Sequence, residues 1–288
     1  MTTPQFDPTQ YKAAQRQNWD AAAPAWERWA DRIDESSRDV SRALIELARI
    51  QSSHRVLDIA SGTGEPALTV ARHVGPAGRV VATDQSSRML AVARSRAAAQ
   101  GLQNLEFQEV DAEALDFPEG SFDAALCRFG LMFLPDLAGT LQRVRRFLRP
   151  GGWFATAIWD VPPRVPMIGV AMDLTSQMFE VPAPPPGVPS LFSLSPPGVL
   201  EQAFTAAGFT NVQAQAAQVG LDFPSGEEFT GFVLDTAAPI AAILERQSAE
   251  RQGEFRQSLA RAAGQYATAN GAIHMVNHAR CVAGQRSM

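Results

Sequence analysis

Lysine is almost missing from this chain. Among 288 residues there are 25 basic side chains, and Lys12 is the one lysine. Schiff-base chemistry therefore has almost no candidate amine outside the N-terminus. The arginine excess reads as codon bias in a GC-rich genome. Cysteine is nearly as scarce: Cys127 and Cys281 form no pattern. They support neither a disulfide scaffold nor a thiolate-bound zinc or iron–sulfur centre, and the cytoplasm is the expected compartment. No run of about 18 apolar residues occurs, so no membrane span is expected. The stretch MTTPQFDPTQ lacks the basic and apolar regions of a secretory leader. Basic charge is in deficit, with a net −5, which argues against a nucleic-acid partner held on a broad basic face.

What is present suits a globular protein. Hydrophobic residues make up 45% of the chain, enough for a substantial core. The length suggests one large or two modest domains. Residues 8–50 read as helical, with Trp19, Ala23, Trp26 and Ala30 recurring at three- and four-residue steps. From residue 54 short β-branched runs alternate with Ala-rich helical stretches. Strands are expected at 55–59, 79–83, 105–109, 122–127 and 153–159, and helices at about 65–74, 87–100 and 136–148. Pro66 suits a first helical turn, Ser86 suits an N-cap, and Pro150-Gly151-Gly152 suits a helix stop. The alternation predicts a parallel sheet with helices on both faces.

Ten of the 20 prolines fall between Val161 and Leu200. The run Pro182–Pro189 can be neither a helix interior nor a central strand, so a stiff loop or part of a lid is expected. Further strands are expected at 211–219 and 272–282. Between them, Ser225–Asn270 reads as helical, opening on a capping box of Ser225 and Glu228.

The central motif runs Val56-Leu-Asp58-Ile-Ala60-Ser61-Gly62-Thr-Gly64-Glu-Pro-Ala67, between a strand and a helix. Asp84 follows 20 residues after Gly64 at the end of the next strand. Taken literally, this satisfies a dinucleotide fingerprint with its ribose-binding carboxylate. A nicotinamide-dependent oxidoreductase is thus one reading. Charge favours another. Asp58 beside the glycine loop would repel a pyrophosphate bound at the helix N-terminus. A sulfonium and an α-ammonium would favour a nearby anion. Asp111, after the third strand, could accept from an adenine amino group, and the Ala112 amide could serve a ring nitrogen.

These residues resemble the motifs of class I S-adenosylmethionine-dependent methyltransferases, most closely the ubiquinone/menaquinone-biosynthesis-like (methyltransferase type 11) small-molecule group. Leu57 to Gly64 resembles the first motif, with Ala60 where D-x-G-x-G-x-G has its first glycine. Val80–Asp84 resembles the second. Asp111–Pro118 through Asp123 resembles the adenine segment and fourth strand, and Leu148–Gly152 the entry to the fifth. The likeness covers about residues 50–160 and extends loosely to Ala207-Gly208-Phe209. One departure stands out. The family often has histidines after the fourth strand, where this chain reads Arg128-Phe129-Gly130-Leu131-Met132-Phe133.

The resemblance implies an α/β, Rossmann-like, doubly wound and mostly parallel seven-stranded sheet, with N-terminal helices and a helical, Pro-rich lid. The expected parts are an N-terminal cap (1–53), a cofactor-binding core (54–160) and an acceptor-binding lid with the final strands (161–288), all one elaborated domain. S-Adenosylmethionine is the implied cofactor, contacting Asp58, Ala60, Ser61, Gly62, Gly64, Asp84, Gln85, Met89, Asp111, Ala112, Cys127 and Arg128. The partner is a small-molecule acceptor, and a homodimer is compatible. Trp19, Trp26, Phe129, Met132 and Trp159 are candidates to meet an apolar or aromatic acceptor. As thiols go, Cys127 reads as a small buried residue rather than a nucleophile. His274 and His278 lie four apart in what reads as a strand, and no acidic ligand is close, so no metal site is expected. Either histidine, or Tyr11, is the candidate general base. A cofactor-binding protein that does not methylate, such as a cyclase or regulatory subunit, is the alternative on the same scaffold. A nucleic-acid methyltransferase is weaker still, because no basic, aromatic-lined surface is advertised.

Overall fold

The structure is a computed structural model that describes residues 6–181 and 187–288. The proline run at 182–186 lies outside the described residues. Three helices open the chain: α1 (Pro8–Arg28), α2 (Ala30–Ser36) and α3 (Arg38–Leu47). Asp7 starts α1 by accepting the Thr9 and Gln10 N–H groups. The expected continuous helical reach is broken at Trp29 and Ser37. Then β1 (Arg55–Ile59), α4 (Ala67–Val74), β2 (Arg79–Asp84), α5 (Ser87–Ala99), β3 (Leu105–Glu109), β4 (Phe122–Arg128), α6 (Leu137–Phe147) and β5 (Leu148–Trp159) follow in alternation. Ser86 caps α5 by accepting the Met89 N–H at 3.1 Å. Pro66 sits one position earlier than expected, at the N-cap of α4. The helix stop also moves. Helix α6 ends at Phe147, and Pro150–Gly152 lie within β5, where the pairing with β4 slips between Phe122 and Ala124.

The seven strands lie in the order β3-β2-β1-β4-β5-β7-β6. Strands β1 to β5 are parallel, and the last two pair antiparallel. The order reverses between β1 and β4, and that is where ligands enter open α/β sheets, beyond the carboxyl ends of the strands. Parallel strands covered on both faces must be apolar throughout. Val56, Val80, Leu126 and Ala155 accordingly pack with α3 and α4 on one face. Leu57, Val81, Phe122 and Phe154 pack with α6 on the other.

The C-terminal half is more helical than its prolines suggest. Helix α7 (Pro166–Met178) lies in the Pro-rich stretch to which the sequence assigns no helix, with Pro166 in its first turn where no N–H is needed. Helix α8 (Val199–Ala206) comes next, then β6 (Thr210–Phe223), α9 (Gly226–Thr236), α10 (Ala238–Glu245), α11 (Ala249–Ala263) and β7 (Ile273–Gln285). The capping box is half formed. Ser225 accepts the Glu228 N–H at 3.3 Å, but the Glu228 carboxylate turns to Arg32 at 2.6 Å. Strand β7 pairs with β5 only over Ala279–Gln285, while its pairing with β6 continues to Ile273. The β6–β7 ribbon therefore projects past the carboxyl end of β5. It carries a separate apolar cluster, including Phe223, Phe229, Phe232, Phe255 and Met275, to the ligand side of the sheet.

Candidate functional site

The floor of the crevice is the loop between β1 and α4. Gly62 has φ +52° and Gly64 has φ +114°, both in the region that favours glycine. A Cβ on Gly62 would meet no protein atom within 4 Å, so that backbone borders an open cradle. A Cβ on Gly64 would meet Leu68 at 3.0 Å and Ala93 at 3.3 Å. Ala60 adopts φ +56°, a conformation that costs a non-glycine residue about 1 kcal/mol. Its methyl group leaves room only for glycine across the switch point: a Cβ on Gly130 would stand 2.7 Å from Ala60 Cβ and from Cys127 Sγ.

Three carboxylates line this floor, and each is held differently. Asp58 is fully buried in β1, and its Oδ2 accepts the Ala67 N–H at 3.1 Å. Its Oδ1 is buried without a partner. Burial pushes Asp58 up to about 8, while the positive charge of Arg128 opposes the rise. Asp84 ends β2. Its Oδ2 accepts the Gly62 N–H at 2.9 Å and its Oδ1 accepts the Ser86 N–H at 2.8 Å. Burial raises it as well, partly offset by those two amides. One side chain thus ties the glycine loop to the start of α5; Gln85 follows it directly in the chain, and Met89 lies in the first turn of that helix. Asp111 accepts the Glu113 N–H at 2.9 Å and ion-pairs with Lys12 at 2.8 Å. The single lysine therefore sits where the adenine edge was expected, between Asp111 and Glu113, with Ala112 beside it.

Helix α1 forms the roof. Lys12, Arg16 and Asp20 recur at four-residue steps and reach the ends of β3 and β2. Lys12 meets the loop after β3, Arg16 pairs with Glu109, and Asp20 Oδ1 accepts from Ser86 Oγ at 2.6 Å. Beside this polar stripe runs an apolar one. Ala22, Ala23, Trp19 and Trp26 pack with Met89, and Trp19 stands edge-on to Trp26 and to Phe133, each at 5.7 Å between ring centroids. The Tyr11 hydroxyl and the Trp26 Nε1 are buried without partners. Burial pushes the Tyr11 phenol up to about 12, so at neutral pH it stays protonated and is not a base.

Beyond the switch point, Phe129 has φ +59° and stacks on Trp159, with ring centroids 4.2 Å apart and 14° between planes. Non-glycine residues held in that region concentrate at functional sites. Met132 is different: it is 1% exposed within the α6-side core, and its expected contact with the acceptor is replaced by packing. Cys127 is likewise enclosed, its thiol pushed up to about 12 by burial, and its carbonyl accepts from Thr156 Oγ1 at 2.8 Å. Arg128 donates to Ser41 Oγ at 3.1 Å and lies 4.0 Å from Asp34.

The two histidines do not meet. Four residues along a strand span about 13 Å, too far for one shared ion. His274 Nδ1 bonds the exposed Asp222 at 2.6 Å. His278 Nδ1 lies 3.2 Å from Arg164 Nη2. A guanidinium only donates, so Nδ1 accepts and Nε2 carries the hydrogen. His278 in this arrangement offers an N–H, with the lone pair a base would need already engaged.

The residues present fit S-adenosylmethionine on one observation. Among the described residues, nine buried side-chain polar atoms lack a partner, and five of them belong to elements around the crevice: Tyr11 Oη, Trp26 Nε1, Asp34 Oδ1, Asp58 Oδ1 and Ser61 Oγ. Buried polar groups in proteins are mostly satisfied, and five of the nine exceptions gather at this crevice, as a polar ligand there would require. Three of the five are acceptors suited to a cationic ligand. Asp34, Arg96, Lys12, Asp20 and Phe133 are residues that sequence reasoning missed. For Lys12 and Asp20 the signal existed, in the four-residue stripe along α1. For Asp34 and Arg96 none did, because only the folded chain brings them together.

Comparison with known proteins bears on the same region. Residues 56–152 match the family model described as a methyltransferase domain. Ubiquinone/menaquinone biosynthesis C-methyltransferase UbiE of Pseudomonas putida is 43% identical over 112 residues, which cover 38% of this chain and 44% of that one. Its counterpart in Hahella chejuensis is 38% identical over 136 residues, covering 47% and 54%. The match thus spans about half the length of these relatives. Among solved structures, the [4+2]-cyclase SpnF superposes with a TM-score of 0.60 at 20% identity, over 100% of both chains.

Proposed function

With residues 56–152 a methyltransferase domain on the class I fold, we propose that the protein transfers a methyl group from S-adenosylmethionine to a small apolar or aromatic acceptor. The observation that carries this is the enclosed set of unpartnered polar atoms beneath an aromatic roof. When bound, the cofactor supplies an activated methyl group on a sulfonium. The chain's own task is alignment and shielding from water. Asp84 takes the ribose hydroxyls, Asp58 stands toward the cationic centre, and Gly62 and Gly64 let the backbone come close. Trp19, Trp26, Phe129 and Trp159 offer faces and edges to an apolar acceptor. The names of the UbiE relatives make a quinone-type ring carbon one acceptor to assay. No general base is required in this scheme, consistent with His278 Nδ1 already accepting from Arg164 and Tyr11 staying protonated.

The test is release of S-adenosylhomocysteine over an acceptor library of quinols, phenols and amines. Acceptor-dependent release is expected. Tight cofactor binding with no release for any acceptor would replace transfer by the second reading, a cofactor-binding cyclase or regulator. That reading draws support from the full-length likeness in fold to a cyclase. A nicotinamide role would need a pyrophosphate at the loop that Asp34 approaches through Arg96, and titration with NAD⁺ is expected to show no binding.

A further inference from the structure

Resting on the cofactor reading above, we propose that Asp34 is a second carboxylate for the cofactor's amino-acid end. It takes the α-ammonium from the cap side, while Asp58 faces it from the floor. Asp34 sits on α2, outside the glycine motif. Its Oδ2 is held by the Arg96 guanidinium. The same guanidinium donates from Nη1 to the Thr63 carbonyl at 2.8 Å, in the glycine loop between Gly62 and Gly64. The carboxylate is therefore anchored to the rim of the cradle through one oxygen. The other oxygen, Oδ1, is buried and has no hydrogen-bond partner. Arg128 Nη2, at 4.0 Å, is too far to serve it, and Arg128 Nη1 is committed to Ser41.

Asp58 supplies the independent half of the argument. It is 0% exposed, and its Oδ1 is also unpartnered. Both carboxylates lie within the influence of the same arginine, since Arg128 draws Asp58 down by charge and stands nearest the free oxygen of Asp34. Two acceptors awaiting a donor, Ser61 Oγ close in sequence, and one guanidinium together complement an amino-acid zwitterion. The ammonium has three donors for Asp34, Asp58 and Ser61, and the carboxylate has Arg128. A surface tether between α2 and α5 would need only the Arg96 pair and would leave no reason to bury Oδ1.

Two ligands separate this role from cap placement. S-Adenosylhomocysteine carries the amino-acid end. Methylthioadenosine keeps the nucleoside and thioether but lacks it. Calorimetric titration of the full chain with each is the experiment, using Asp34→Asn and the charge-conserving Asp34→Glu, with thermal melts to verify folding. Asp34→Asn is expected to weaken S-adenosylhomocysteine about ten- to hundredfold, the range for a hydrogen bond to a charged group. Methylthioadenosine should stay within about threefold. Asp34→Glu should fall between wild type and Asp34→Asn for the first ligand only. Equal weakening of both ligands would make Asp34 a strut for the cap and overturn the proposal, as would no change in either. A wild-type protein that binds neither ligand would bring down the cofactor reading together with this one.

Discussion

The floor and the roof of the crevice are built by different means. On the floor, carboxylates are fixed by main-chain amides a short distance away in sequence: Asp58 by Ala67, and Asp84 by Gly62 and Ser86. The roof and lid are held by side chains far apart in the chain. Trp29 Nε1 and Arg28 both donate to Asp235 at 2.8 Å, and Arg32 reaches Glu228 and the Asp222 carbonyl. Partly exposed ion pairs contribute only about 0–1 kcal/mol each, so these ties between roof and lid can part at modest cost. The floor cannot give without breaking the sheet. On the function proposed above, cofactor recognition would be rigid, and access and acceptor choice adjustable.

The sharpest way to break this contrast is Asp84→Ala, which removes the acceptor for two loop amides and for the ribose. Affinity for S-adenosylhomocysteine should fall by about a hundredfold or more, read by calorimetry. A loss under about threefold would show that the floor is not the rigid partner. Gly62→Ala should follow. At φ +52° it costs about 1 kcal/mol of stability by thermal melt. Cofactor affinity should drop by more than that penalty predicts, about thirtyfold, because the methyl group enters the cradle.

Proton linkage sharpens the floor further. Asp58 titrates near 4 when unfolded and at about 8 when folded. The folded protein without ligand therefore binds the extra proton in that interval, and stability declines as pH rises from 4 to 8. A cationic ligand prefers the ionised form, so affinity should move the other way. It should rise by up to about tenfold per pH unit as pH climbs toward 8, with proton release on binding. Asp58→Asn should flatten the slope, and an unchanged slope would deny Asp58 its role.

Asp235→Ala tests the roof side, because it cuts the bonds from both Arg28 and Trp29. Turnover of an acceptor should fall about tenfold and proteolysis within 226–263 should quicken, while S-adenosylhomocysteine binding stays within about threefold. Equal losses in turnover and binding would erase the contrast. The smallest effect belongs to Ala60→Gly, which should raise stability by about 1 kcal/mol by relieving the left-handed alanine.

The same contrast explains what the sequence disclosed. Strands β1 and β3 fall at their expected bounds, and β2 and β4 run one residue longer; for β1, β2 and β4 the reason is that buried parallel strands carry contiguous apolar runs, whereas β3 is a half-exposed edge strand. Asp58, Gly62, Gly64 and Asp84 were legible for a related reason: their partners are main-chain groups or lie one βα unit away. Helix α7 went unassigned amid the surrounding prolines, although its own single proline, Pro166, is compatible with a helix start. The pairing of Asp34 with Arg96, and of Trp29 with Asp235, depends on tertiary approach across 62 and 206 residues and leaves no periodic trace. His278 was visible as a titratable side chain, but the arginine that occupies its lone pair was not.

Lys12 has one more consequence. Apart from the chain's α-amino group, it is the sole amine that an acylating reagent can modify. Its hydrogen bond to Asp111 raises its pKa and holds it as the unreactive ammonium. Once released from Asp111 and Glu113 it becomes more nucleophilic. The rate of acylation at this one position therefore works as a built-in stopwatch for roof opening. Peptide mass mapping can read it without any label introduced by mutation.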